Sequence, residues 1–549
     1  MQPQQTEHAA LSLPRRRGIL LHISSLPSKY GIGTYGRAAY RFADMLSEAG
    51  ANLWALLPMG PSGFGDSPYQ SFSSFALNPY FLDLELLCDK GLLTREECES
   101  AAFGKDPSRC DYSALYRERL PLLTTAFARA MQQKGFYGRI RRFAAEHPYV
   151  KEYALFTAIK ESQGGKPWYE WTRELKLRDK AALADARKKA DTSYCLHIFL
   201  QMELFEQWEA LRAYARSRGV AIMGDMPIYC AYDSADCWAH PDCFMLDENM
   251  RPTLVAGVPP DYFSPKGQLW GNPLYNWPNI RRSRYKFWLD RMSAAAGLYD
   301  VLRIDHFRGF AGYYSVPADA EDAVNGEWLR GCGFELFKRF AALQKQGRAE
   351  NCEVVAEDLG FITPDVKRLL TRTGFAGMQV LEFAFGGGRG NPHKNKKWDG
   401  VPEHLKNKVC YTGTHDNPPL AAWWQEIGRE ERMRALRYAG LTLKKDRGLM
   451  LNIAGDNDCS RCPEDMAAEC EFRDKSEKRR CELAAWHLSR AAVRCNARIA
   501  IVPMQDVLCL GAEARMNTPG TGEGNWQWRM TEEQLPQAEH AMNELFGNE

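Results

Sequence analysis

The sequence predicts an α/β protein whose chain closes into a (β/α)8 TIM barrel, and three observations predict it. Eight short apolar segments of strand character recur along the chain, most of them followed by a segment of helical periodicity. Acidic residues stand at the carboxyl ends of several of these segments, where such a barrel keeps its reactive groups. One αβ unit is punctuated as a barrel unit should be. Thr363 is placed to cap the helix, Pro364 fits its first position, and Gly374 ends it before the next strand.

In chain order, the first strand segment is Gly18–His22, followed by a helical Arg37–Ala49 that Gly50 stops. The second is Asn52–Pro58, the third Val220–Met226, the fourth Tyr299–Asp305 and the fifth Glu353–Glu357. The sixth is Met378–Phe383, the seventh Lys408–Thr412 and the eighth Arg498–Pro503. Uneven spacing locates the insertions within a single barrel domain spanning 1–549. About 160 residues separate the second and third strands, too many for one crossover, and their charge-rich periodicity predicts a mainly helical insertion over 86–219. Residues 229–279, rich in Pro, Gly and aromatics, read as a loop-rich insertion over the barrel mouth, and 443–480 as a charged, Cys-containing insertion. The last segment, 530–549, reads as a closing helix, which leaves no room for a C-terminal β-sandwich domain.

Composition excludes several classes of partner. A formal net charge of +2 and a pI near 7.8 give no general attraction to nucleic acid or an anionic membrane. No stretch approaches the length of unbroken apolar sequence that a membrane span needs, and residues 1–17 lack the apolar core of a signal peptide. The 16 cysteines are scattered without a disulfide framework, so reduced thiols and a cytoplasmic location are expected. The 15 Trp and 23 Tyr either pack the core or offer flat platforms for sugar rings.

The fourth strand carries the sharpest signal, YDVLRIDHFRG over Tyr299–Gly309. Asp305 stands at the strand's mouth, and Arg303, two residues earlier, shares its face. A cation there lowers the carboxylate's pKa and keeps Asp305 ionised. An Arg–Asp pair that merely closes a strand would look the same in isolation. Asp225, Glu357 with Asp358, and His415 with Asp416 stand at or just past three further strand ends, so carboxylates from four strands meet one rim. Such a cluster is costly unless paired or used. Carboxylates beside aromatic loops suggest glycosidic chemistry; a divalent-metal hydrolase is the alternative, but no HxH, HExxH or Cys/His pair occurs at the strand ends. GTGEG at Gly520–Gly524 lacks the Lys-Ser/Thr of a phosphate loop, and the CxxC of Cys459 and Cys462 lacks a second pair. No metal or cofactor is expected. Aromatic loops at Gly65–Pro79, Val258–Trp277 and Asn525–Arg529 bring Tyr69 and Trp270 to the rim.

The segments HISSLPS, GDSPYQSFS, GGKPWYEW, GDMPIY, PPDYFSPKGQLWGNPLY, RIDHFRG, AEDLG, GTHDN, ARMNTPG and NWQWR run in one order from His22 to Arg529. In these segments the chain resembles the amylomaltases, the 4-α-glucanotransferase or disproportionating-enzyme family related to the α-amylase group. The acidic, Cys-containing stretch 452–480 departs from that pattern. The resemblance implies a transferase moving α-1,4-glucan segments between maltooligosaccharides by a retaining double displacement. It implies Asp305 as nucleophile, Glu357 as general acid/base with a pKa raised by its neighbours, and Asp416 as the group gripping ring hydroxyls. It also implies that His415 and Asp225 support the same subsite, that Tyr69 and Trp270 stack on sugars, and that Asn517 contacts a hydroxyl. The 258–277 loop would act as a lid that limits water. A retaining glucan hydrolase on the same barrel, and a catalytically dead glucan-binding protein, remain as alternatives. Oligomeric state is not legible.

Overall fold

The computed structural model describes residues 15–260, 264–360, 362–386, 406–441, 449–450 and 477–547. The CxxC of Cys459 and Cys462, Cys470, and most of the 443–480 insertion lie outside the described residues. Twelve strands are described. In chain order they are β1 (Arg16–Leu20), β2 (Leu53–Ala55), β3 (Ala221–Met226), β4 (Leu254–Val258), β5 (Gln268–Pro273) and β6 (Val301–Ile304). Then follow β7 (Gly312–Pro317), β8 (Glu327–Arg330), β9 (Glu353–Ala356), β10 (Gly377–Val380), β11 (Lys408–Tyr411) and β12 (Ile499–Pro503).

Eight of them form one sheet in the order β10-β11-β12-β1-β2-β3-β6-β9, and every neighbouring pair in it is parallel. A parallel bridge between Val355 and Ala376, with Ala356 N–H donating to the Ala376 carbonyl at 2.8 Å, brings the two ends together. The chain is a (β/α)8 barrel with insertions, and each predicted strand segment overlaps one barrel strand. The first begins two residues earlier than the apolar pattern suggests. Arg16 pairs with Ile499 of β12, and its guanidinium meets Glu353 at 2.6 Å, so a charged residue is carried into the sheet by partners remote in sequence.

Side chains alternate across each strand. Leu53, Met223, Val301, Val355, Val409 and Ile499 fill the barrel's interior, while Trp54, Ile222 and Leu302 pack outward in the larger core. Trp54 is fully buried and satisfies its indole N–H on the Leu21 carbonyl at 2.7 Å. Following the same alternation from Val301, Arg303 and Asp305 point into the barrel mouth. In the β3–β6 register Asp225 lies opposite Arg303. One layer at the top of the barrel is therefore built of opposite charges where lower layers are aliphatic.

Between β2 and β3 the chain is helical, including Tyr112–Met131 and the long Asp191–Ser217. The latter packs on the Pro148–Ser162 and Arg37–Glu48 helices. Residues 229–279 differ from the loop reading. They contribute β4 and β5 to a four-stranded antiparallel sheet in the order β5-β4-β7-β8, with Ala256 opposite Ser315 of β7. Trp270 accordingly sits on a strand and not on a loop. The pairing partner lies in 312–317, so local composition carried no sign of it.

Gly224 of β3 has no room for a side chain. A Cβ there would lie 2.3 Å from the ring of the buried Tyr299. Gly224→Ala is expected to cost about 1–3 kcal/mol through overpacking. A lowered denaturant midpoint at unchanged slope is the expected result; an unchanged midpoint would refute the close approach.

Candidate active site

The β3 and β6 strand ends, aligned by their register, supply the centre of the site. Arg303 Nη1 donates to Asp225 Oδ2, and Nη2 sits 2.9 Å from Asp305 Oδ1. Burial works against the guanidinium's charge, but Asp225 and then Asp305 hold its pKa well above the ordinary value. Tyr69, from the loop after β2, donates its hydroxyl to Asp225 Oδ2 at 2.7 Å. Asp225 Oδ1 is buried and has no hydrogen-bond partner among the described residues, which leaves an acceptor for a ligand hydroxyl.

Glu357 follows β9. Its Oε1 accepts the Leu359 N–H at 2.7 Å and its Oε2 the His306 N–H at 2.8 Å. His306 can aim that N–H because it adopts the left-handed conformation (φ 48°, ψ 46°), which costs a non-glycine residue on the order of 1 kcal/mol. The edge of Trp270 packs on the His306 ring at 4.8 Å. The strained residue thus links Asp305, Glu357 and the small sheet.

Past β11, the Thr414–Asn417 turn carries His415 and Asp416. Asn517 Nδ2 donates to Asp416 Oδ1 at 2.6 Å and Arg515 Nη2 to the Asp416 carbonyl at 2.7 Å. His415 Nε2 lies 3.3 Å from Asp416 Oδ1, while its ring stacks on Tyr69 at 4.9 Å and 16°. Burial holds His415 below its ordinary pKa, opposed by Asp416. A neutral ring has one N–H, and we assign it to Nε2, facing Asp416. The Tyr69 face expected to meet a sugar is shared with His415, because the tertiary fold closes the two loops together.

The predicted ionisation of the carboxyl pair needs correction. Asp305 is raised to about 8, chiefly by burial and further by Asp225, Glu357 and Asp416, against the pull of Arg303. Glu357 is also raised, chiefly by burial, against the pull of Arg303 and its two backbone hydrogen bonds. Arg303 therefore does not leave Asp305 as an ordinary carboxylate beside a protonated Glu357. It also pairs with Asp225, and burial raises the proton affinity of both carboxyls above the ordinary range. Asp305 keeps 28% of its side chain exposed, which leaves it open to a ligand.

Sequence reasoning passed over Glu382 and Asp506. Glu382 follows β10 and is buried. Burial, with Asp506 nearby, raises its pKa well above the ordinary value. A Cβ at Gly413 would lie 2.7 Å from Glu382 Oε1, so glycine lets the Thr414–Asn417 turn settle on this carboxyl. Asp506 accepts from Thr412 Oγ1 at 2.6 Å and from Leu420 N–H at 2.7 Å, pinning both ends of that turn. An acidic residue ending the sixth predicted strand was the available signal for Glu382; for Asp506, paired only in three dimensions, there was none. Among the described residues no three His, Cys, Asp or Glu side chains converge as metal ligands, and no helix is long and apolar enough to cross a membrane.

Raised carboxyl pKa values mean that the native state binds protons the unfolded chain has released above about 4. This contribution to stability is complete below that value and is lost as pH rises through about 8 for Asp305. Infrared difference spectra are expected to retain a protonated-carboxyl band above pH 6 that bleaches near pH 8. Asp305→Asn should remove it; a band unchanged by that substitution would overturn the assignment.

Residues 21–535 match the family model described as 4-alpha-glucanotransferase. The 4-alpha-glucanotransferase of Thermus thermophilus is 42% identical over 524 residues, covering 95% of this chain and 95% of that protein. The chloroplastic/amyloplastic 4-alpha-glucanotransferase of Solanum tuberosum is 38% identical, covering 94% of this chain and 82% of its own. Among solved structures, the amylomaltase from Streptococcus agalactiae in complex with acarbose superimposes with a TM-score of 0.83 at 34% identity. That match covers 97% of this chain and 99% of the amylomaltase.

Proposed function

The chain belongs to the 4-alpha-glucanotransferase family and is a glycosyltransferase acting on α-1,4-glucans; from that premise we propose a retaining double displacement in which Asp305 is the nucleophile and Glu357 the general acid/base. The observation that carries this reading is the presence of two carboxyls at the ends of adjacent strands, a half-buried one ion-paired to Arg303 and a buried one held by the His306 and Leu359 amides. Two carboxyl groups serve retention when they lie about 5–5.5 Å apart across the scissile bond.

In the first step an Asp305 oxygen attacks the anomeric carbon of the donor. The bond from that carbon to the glycosidic oxygen breaks, and Glu357 gives its proton to the leaving oxygen. The fragment departs with a free 4-hydroxyl, and a glycosyl ester remains on Asp305. In the second step Glu357 takes the proton of an acceptor's 4-hydroxyl, whose oxygen attacks the same carbon and releases the Asp305 carboxylate. The free Asp225 Oδ1 and the pinned Asp416 carboxylate grip ring hydroxyls and favour the positive charge that develops on the sugar. Asn517 orients Asp416, Tyr69 and His415 form one stacked wall of the subsite, and Trp270 contacts the chain beyond it. Neither step calls for a cofactor.

Transfer in place of hydrolysis requires that acceptor sugar, not water, reach the ester. We assign the exclusion of water to the segment 258–277, whose described part pairs into the small sheet and rests through Trp270 on His306. The partners are maltooligosaccharides and longer α-1,4-glucans, as the acarbose-bound relative supports. A cytoplasmic location fits the thirteen unpaired cysteines among the described residues.

Incubation with maltotriose tests the reading. Glucose together with chains longer than the trimer is the expected result; glucose and maltose alone would mean hydrolysis, and no change would mean a binding protein. Glu357→Gln and Asp305→Asn are each expected to lower kcat by about 10³-fold or more. Activity near wild type in either variant would overturn its assigned role.

A further inference from the structure

Among the described residues, Trp328 is one of few large aromatic side chains left open to solvent. It lies on β8, an edge strand of the small sheet, and is 45% exposed. A bare indole on an edge strand is a liability unless something covers it. One face is already occupied, since the Arg308 guanidinium lies 3.8 Å from the ring centroid, and Tyr314 packs tilted against the ring at 5.2 Å. Arg308 is itself buried and interacts electrostatically with Glu357 and Asp365. It belongs to the short segment Asp305–Phe310, on which Trp270 also rests through His306. The end of β8 is tied to the same segment, with Gly331 N–H donating to the Ala311 carbonyl at 3.0 Å and Gly333 N–H to the Phe310 carbonyl at 2.8 Å. Trp328 therefore packs on a segment it shares with the site, through Arg308, which interacts electrostatically with Glu357.

We propose that Trp328, held on Arg308, is a sugar-binding platform for the outer part of the acceptor glucan. The proposal rests on the reading of Asp305 and Glu357 above, because the general acid/base marks the side on which leaving group and acceptor bind. An α-1,4-glucan presents apolar C–H faces rimmed by hydroxyls. A rigid indole packed on Arg308 and Tyr314 and still 45% exposed offers contact area to such a face while losing little side-chain entropy. An acceptor of one sugar occupies only the position next to the cleaved bond; a longer acceptor extends outward to Trp328.

The test separates acceptor from donor by using maltotriosyl fluoride as donor. Its C1–F bond breaks as the Asp305 ester forms, fluoride leaves, and no donor sugar occupies the acceptor side. Transfer to glucose and to maltotetraose is then compared for the wild type, Trp328→Ala and Trp328→Phe. The expected result is a rise of about tenfold in the KM for maltotetraose with Trp328→Ala, no change for glucose, and recovery with Trp328→Phe. Equal losses with both acceptors would assign Trp328 to supporting Arg308 and overturn the platform, as would no loss with either. Fluoride release by the wild type without transfer product would count against transfer itself and not against the platform. In that case titration of maltohexaose into Glu357→Gln, with and without Trp328→Ala, still decides: unchanged affinity overturns the proposal.

Discussion

The guanidinium of Arg303 joins the carboxylates of two barrel strands at the mouth of the barrel. It faces Asp225 across the β3–β6 register and Asp305 along its own strand, where the layers below are filled by aliphatic side chains. Without it, Asp225 and Asp305 would be like charges taken out of water on neighbouring strands, an arrangement a folded chain tolerates only with compensation. With it, Asp225 is neutralised and free to organise Tyr69, while Asp305 is held but only partly compensated. Burial, with the neighbouring carboxylates adding to it, raises the proton affinity of Asp305 and Glu357, and the proposed chemistry needs a proton on Glu357.

Around this centre the chain uses rigid supports of unlike kinds. The Glu357 carboxylate is fixed by two amides, one of them from a residue in a strained conformation. The Asp416 turn is fixed by Asn517 and Arg515 on one side and by the buried Asp506 and Glu382 on the other. The supports follow the ends of β6, β9, β10 and β12, so the geometry of the site depends on closure of the whole barrel and not on any one loop. The small antiparallel sheet then packs aromatic groups on the segment after β6, Trp270 against His306 and Trp328 against Arg308.

The barrel strands were legible because a parallel strand covered on both faces must be a nearly continuous apolar run, and such runs stand out in single-sequence patterning. The acidic residues ending them were legible for the converse reason, since Asp225, Asp305 and Glu357 interrupt apolar sequence where no surface explains the charge. Strands β4, β5, β7 and β8 were not legible as a sheet. They are short, partly exposed, and paired with segments distant in sequence, and antiparallel pairing of that kind leaves little local trace.

The sequence by itself determined the barrel, the order of its strands along the chain, the helical character of the stretch between the second and third strands and the set of carboxylates that could meet at one rim. Local hydrophobic period and the strand-end position of each charge are properties of a few consecutive residues. Tertiary structure decided which charges compensate one another, that Asp305 and Glu357 share a raised affinity for protons, and that Tyr69 stacks on His415. It also decided that Glu382 and Asp506 underlie the Asp416 turn and that Trp328 lies against Arg308. Those outcomes depend on burial and on distances between groups tens to hundreds of residues apart, and both quantities exist only once the barrel has closed.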